Sequence, residues 1–126
     1  MKQWITLVIC LSFLLIVGIW QVNYLEKTSL YTLSDIEYVK NTAINGRFDL
    51  SKEGAENIEK TWNEVKTVWH IFVDSSEVDK VEEHITLLKS YIDEENKEEV
   101  IVNANELNRV LNYIVKKQQV KIGNIL

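Results

Sequence analysis

His70 and His84 are the only histidines in the chain. Imidazole with carboxylates is the usual start for a metal site or an acid–base pair. A di-iron helical bundle needs Glu-x-x-His pairs on facing helices. Thr67 stands three residues before His70 and Val81 three before His84, so that motif is absent at both. Glu82-Glu83-His84 sets carboxylates beside an imidazole, but consecutive helical residues point in different directions and do not form a dyad. The run Asp93-Glu94-Glu95-Asn96-Lys97-Glu98-Glu99 is acidic enough for calcium. It lacks the glycine that an EF-hand loop needs at its sixth position, and it reads as a solvated helix start.

The remaining candidates fail on context. Ser75 and Ser76 have no nucleophile-elbow surroundings. The four glycines are scattered, so no phosphate-cradling loop exists. Cys10 is the only cysteine, which removes intrachain disulfides and multi-cysteine metal sites. Trp62, Trp69 and Phe72 would make an aromatic ligand face, yet they sit on an otherwise aliphatic seam where core packing is the default. The sequence thus offers no catalytic, cofactor-binding or metal-binding residues, and a non-enzyme without a cofactor is expected.

The elements that would position such residues are all helical. The chain has 126 residues, 26% charged and 46% hydrophobic, and no proline. That length suits one domain, and the absence of proline favours long helices. The net charge is −5. An acidic chain lacks the basic face that displaces counterions from phosphate, so nucleic acid is not expected as a partner.

Trp4 to Val22 reads WITLVICLSFLLIVGIWQV without a charge. As a helix it spans about 28 Å, close to the ~30 Å hydrocarbon core of a bilayer. Trp4 and Trp20 sit near its ends, where indole rings favour the interface. A cleaved signal peptide is the rival reading. Val17-Gly18-Ile19-Trp20-Gln21 puts bulky residues where a peptidase needs small ones. Cys10 follows Ile9 and comes too early for a lipoprotein. The expectation is an uncleaved anchor over residues 1–22 and an extracytoplasmic domain over residues 23–126. Lys2 is the only one of the 14 basic residues before the apolar stretch, and all 19 acids follow it. This places the N-terminus in the cytoplasm and makes the chain a single-pass cell-membrane protein.

Four helical segments follow. Segment one, about 23–45, carries Leu25, Leu30, Leu33, Ile36, Val39 and Ala43 at mixed spacing, and no breaker separates it from the anchor. Asn45-Gly46 ends it with a glycine suited to a left-handed cap. Segment two, about 52–73, places Ala55, Ile58, Trp62, Val65, Trp69 and Phe72 on a heptad seam. Segment three, about 77–92, repeats the seam with Val78, Val81, Ile85, Leu88 and Ile92, and Ser76 with Asp79 resembles a capping box. Segment four, about 96–120, has Val100, Ala104, Leu107, Leu111 and Ile114. Its acids Glu94, Glu95, Glu98 and Glu99 and its bases Lys116, Lys117 and Lys121 complement the helix dipole. Loops near 46–51, 74–76 and 93–95 are short enough for antiparallel neighbours.

The expected fold is therefore all-α: one N-terminal transmembrane helix followed by an antiparallel bundle of about four helices. A three-helix coiled arrangement, or a homo-oligomer formed through the seam, is the other way to bury these stripes. The up-down order returns segment four toward the bilayer. Lys116, Lys117 and Lys121 would then face headgroups, and Ile122 and Ile125 would finish the core or dip into the interface.

The anchor, Thr61-Trp62 and Trp69, the junction Phe72-Val73-Asp74 to Glu77-Val78, the stretch Ile85 to Tyr91-Ile92 and the closing Asn124-Ile125-Leu126 together resemble the domain of unknown function 4363 family. That family comprises short membrane-anchored proteins of Firmicutes. The resemblance covers most of the chain and carries no assigned activity. It implies a spore-forming Gram-positive host and an envelope or sporulation role. The leading functional expectation is a membrane-tethered, non-enzymatic interaction or structural module that docks a protein partner. The alternative is an extracytoplasmic domain that senses a small ligand inside the bundle, which requires a pocket with convergent polar groups.

Overall fold

A computed structural model describes residues 1–125, without the side chains of Ile122 and Ile125. The described residues form four α-helices and no strand: α1 (Lys2–Ile44), α2 (Phe48–Phe72), α3 (Ser75–Asp93) and α4 (Lys97–Ile125). α1 packs on α2 and α4, and α3 packs on the same two helices. The topology is an antiparallel up-down ring in which each helix lies beside its chain neighbour and α4 closes against α1.

α1 runs unbroken from the apolar stretch into the bundle. Residues 2–16 are exposed throughout, so about 22 Å of apolar helix projects from one end, here called the base. α1 is long and apolar enough to cross a membrane. The opposite end, the tip, carries the turns Asn45–Arg47 and Glu94–Asn96.

Both tip turns are Schellman caps. Gly46, at φ 73°, donates its N–H to Ala43 O at 3.0 Å, and Arg47 N–H reaches Thr42 O at 2.8 Å. This is the glycine cap that Asn45-Gly46 implies. Glu95 does the same after α3 at φ 54°, with N–H bonds from Glu95 to Ile92 O and from Asn96 to Tyr91 O, both 3.0 Å. A side chain in that region carries strain that a glycine would not. Asn96 then opens α4, its Oδ1 accepting the Glu99 N–H at 3.4 Å.

Two local expectations need correction. The first loop does not reach residue 51: α2 begins at Phe48, and Ser51 lies fully buried in its first turn. Ser51 Oγ hydrogen-bonds the Thr42 hydroxyl at 2.8 Å and donates to Arg47 O at 3.2 Å. A hydroxyl read as loop polarity instead pins α2 to α1. The second correction concerns α3, whose N-cap is Asp74 with no side-chain cap bond. Ser76 is exposed and caps nothing.

The core is one cluster of side chains from all four helices. The seam residues Val78, Val81, Ile85, Leu88 and Ile92 of α3 and Val100, Ala104, Leu107, Leu111 and Ile114 of α4 are all buried in it. On α1 the inward stripe is Leu25, Ser29, Thr32, Ile36, Val39 and Ala43. Leu30, expected on that stripe, is 60% exposed.

Candidate functional site

The helical register brings two regions together that sequence spacing leaves apart. The first is a groove between α3 and α4 near the base. Val78, Val81 and Ile85 turn one face of α3 into the core, and this leaves Asp74, Glu77, Lys80 and His84 toward the flank that faces α4. Arg109, Tyr113 and Lys117 supply the other wall of a groove of about 550 Å³. Glu77 is a buried carboxylate. Its Oε1 accepts from Lys117 Nζ at 2.9 Å, and the same ammonium reaches Asp74 Oδ2 at 3.3 Å. The Glu77 bond, then the Asp74 bond, holds the Lys117 ammonium above its ordinary pKa.

Glu77 Oε2 and His84 Nδ1 are buried without a hydrogen-bond partner among the described residues. Buried polar atoms are normally paired, so these two are the places where the groove offers unused hydrogen-bonding capacity. His84 sits between the acids of α3 and the Glu106–Arg109 pair of α4, whose guanidinium–carboxylate contact is 2.7 Å. His70 is exposed on α2 and stands apart from this groove.

The adjacent acids of α3 serve different walls. Glu82 turns to α2, accepting from Trp62 Nε1 at 3.3 Å and Lys66 Nζ at 3.2 Å. The Lys66 bond is the main reason its carboxyl is held below the ordinary value. Glu83 and His84 turn to the α4 side. The triplet is split between two faces, as helical geometry requires. Trp62 and Trp69 are 5% and 1% exposed and meet edge to face at 5.5 Å. They are core rather than a ligand face. Among the described residues no group of three or more His, Cys, Asp and Glu side chains converges as a metal site.

The second region is the base itself. Trp20 stacks on Tyr24 at 5.4 Å and meets the Phe72 ring edge at 6.1 Å. Gln21 Nε2 donates to Gln118 Oε1 at 3.0 Å across 97 residues. The end of α2 and the last turns of α4 therefore lie beside the part of α1 that leaves the bundle. Lys116 and Lys121 are exposed there. Lys117, expected to be free for headgroups, is occupied by Glu77 and Asp74 instead. The expectation for Ile122 and Ile125 falls on side chains outside the described part of the structure.

A family model described as "Domain of unknown function (DUF4363)" matches residues 19–125. No curated protein matches the chain. No solved structure matches it either.

Proposed function

The chain belongs to the DUF4363 family, and from that premise we propose that it is a membrane-anchored, non-enzymatic interaction module. α1 serves as an uncleaved anchor, and the acidic bundle stands on the outer face of the cell membrane, in an envelope or sporulation setting, to dock a protein partner. The observation that carries this reading is the exposed apolar half of α1. Met1 to Ile16 bury nothing against the bundle, and only lipid or another apolar surface covers such a helix at low cost.

The test has two arms. The full chain should stay in the membrane pellet through alkaline carbonate washing. A photo-reactive side chain at exposed Tyr31 or Tyr113 should then give one discrete protein adduct in living cells. Release by carbonate removes the anchoring, and adducts absent from both positions remove the docking role.

A ligand-sensing domain is the second reading, favoured by the unpaired Glu77 Oε2 and His84 Nδ1 in the α3–α4 groove. A polar small molecule that raises the melting temperature of the parent but not of Glu77→Gln would decide for it. Failure of every such molecule would count against it.

A further inference from the structure

We propose that the base of the bundle is a second lipid-contacting surface, with the last turns of α4 entering the interfacial zone of the leaflet from which α1 emerges. This rests on the reading of α1 as an anchor.

Two contacts fix the levels. Gln21 to Gln118 sets the antiparallel register of α1 and α4. Lys117 to Asp74 places Lys117 beside the α2–α3 connection, which is the lower limit of those two helices. α4 does not stop there. It continues helically from Gln118 to Ile125, an overhang of ~12 Å at ~1.5 Å per residue. Neither α2 nor α3 extends that far, so the neighbour at that depth is the apolar half of α1. Gly18 is the one buried residue within Trp4–Val22, and the register puts it level with Lys121 of α4.

The chemistry of this end suits lipid. Ile71, Val120 and Trp20 are 72%, 61% and 53% exposed, and all three lie near the level at which Phe72 meets Trp20. In water they would form an apolar belt with nothing over it. In the interfacial zone the indole has its preferred position, and the aliphatic side chains meet acyl chains. Lys116 and Lys121 flank the belt and are exposed. Their apolar stems let the ammonium groups reach up to phosphate while the helix sits lower. Continuity with the apolar surface of α1 selects lipid over a separate protein as the occupant.

The experiment uses the full chain in nanodiscs containing anionic lipid. Cys10 is replaced by Ser, and a nitroxide is attached to single cysteines at Ile16, Tyr113, Val120 or Asn124. Collisions with oxygen and with a water-soluble nickel chelate are compared. Oxygen should dominate at Ile16, Val120 and Asn124, and nickel at Tyr113. Nickel dominance at both Val120 and Asn124, with Ile16 still in lipid, overturns the proposal and leaves the anchor standing. Shielding of 120 and 124 from both reagents overturns it in favour of a protein cover. Nickel dominance at Ile16 overturns the anchor and this proposal together. Asn124→Cys gives an independent reading where Val120→Cys disturbs the helix.

Discussion

The indole N–H of Trp69 donates to Thr28 Oγ1 at 3.1 Å, across 41 residues. Thr28 is free to accept because its own hydroxyl hydrogen is directed to the Tyr24 carbonyl at 3.0 Å and the Leu25 carbonyl at 3.2 Å. The pair joins the largest fully buried side chain of α2 to the stretch of α1 just above the base. Trp69→Phe should therefore cost about 0.5–1.5 kcal/mol for the lost hydrogen bond, beyond any change in packing. Trp69→Ala should cost about 3–5 kcal/mol. Denaturant unfolding of the full chain in detergent checks both. A Trp69→Ala variant that unfolds with the parent would mean that the ring is not in the core.

The close approach of α1 and α2 makes a second prediction. A Cβ on Gly54 would lie 2.8 Å from both Tyr38 Cδ1 and Val39 Cγ2. The Tyr38 ring is partly exposed and can swing away, but Val39 is fully buried and branched at Cβ. Gly54→Ala gains about 1 kcal/mol in helix propensity and loses about 1–3 kcal/mol to overpacking. The loss should win. Gly123→Ala is the control, since among the described residues nothing beyond its own helix turn and chain neighbours lies within 4 Å of its added Cβ, and that change should be neutral or stabilising. A Gly54→Ala variant more stable than the parent would show that the helices can part without cost.

What the sequence reveals here depends on which residue types mark the core. α3 and α4 carry aliphatic side chains at nearly every inward position, so their seams can be read without a structure. α1 does not. Its inward stripe is a regular four-and-three repeat, but Ser29 and Thr32 occupy two of its positions. Thr32 is accommodated by donating to Thr28 O at 3.0 Å. A helix that satisfies a hydroxyl with its own carbonyl can bury it. Ser29 Oγ is buried without a partner among the described residues, and apolar periodicity points to its neighbour Leu30 instead. Ser51 misleads in the same way, because its partner Thr42 lies on another helix. The groove was harder still. Glu77, His84, Arg109 and Lys117 come from two helices, and only the register at the α3–α4 turn sets them face to face. Glu95 gave no signal for its left-handed conformation, since glycine is the residue that normally marks it.

Acid should reveal the Glu82 contact. Its carboxyl is held low in the folded chain mainly by Lys66, with Trp62 helping and burial opposing. A lowered folded pKa gives stability that is present above the unfolded value, ~4.3 for glutamate, and lost as pH falls through the folded value. Glu82→Gln keeps an acceptor for the indole and cannot titrate. Melting temperatures of parent and variant should differ at pH 7 and converge as pH falls below ~4. A difference that stays constant down to pH ~2 would remove Lys66 as the cause.

The final prediction concerns what happens to residues 1–22 in the cell. A signal peptidase must draw its substrate out as an extended strand across the residues it cuts. In this chain those residues are helical and engaged. Gly18 is buried, Trp20 stacks on Tyr24 and touches Phe72, and Gln21 holds Gln118. Cleavage near Asn23 would remove the Trp20 and Gln21 contacts and strip α4 of its neighbour at the base. It would also expose the Phe72 edge. The bulky residues from Val17 to Gln21 act in the same direction by denying the enzyme its small side chains. The intact mass of protein extracted from membranes should therefore include the first 22 residues. The Trp20→Ala chain should likewise be found at full length, lighter only by the substitution itself, if poor cleavage chemistry alone suffices to protect the chain. Appearance of a shortened form only in that variant would show that packing at the base is what protects it. A parent chain whose mature N-terminus lies near Asn23 would show that the apolar half of α1 is an export signal rather than an anchor.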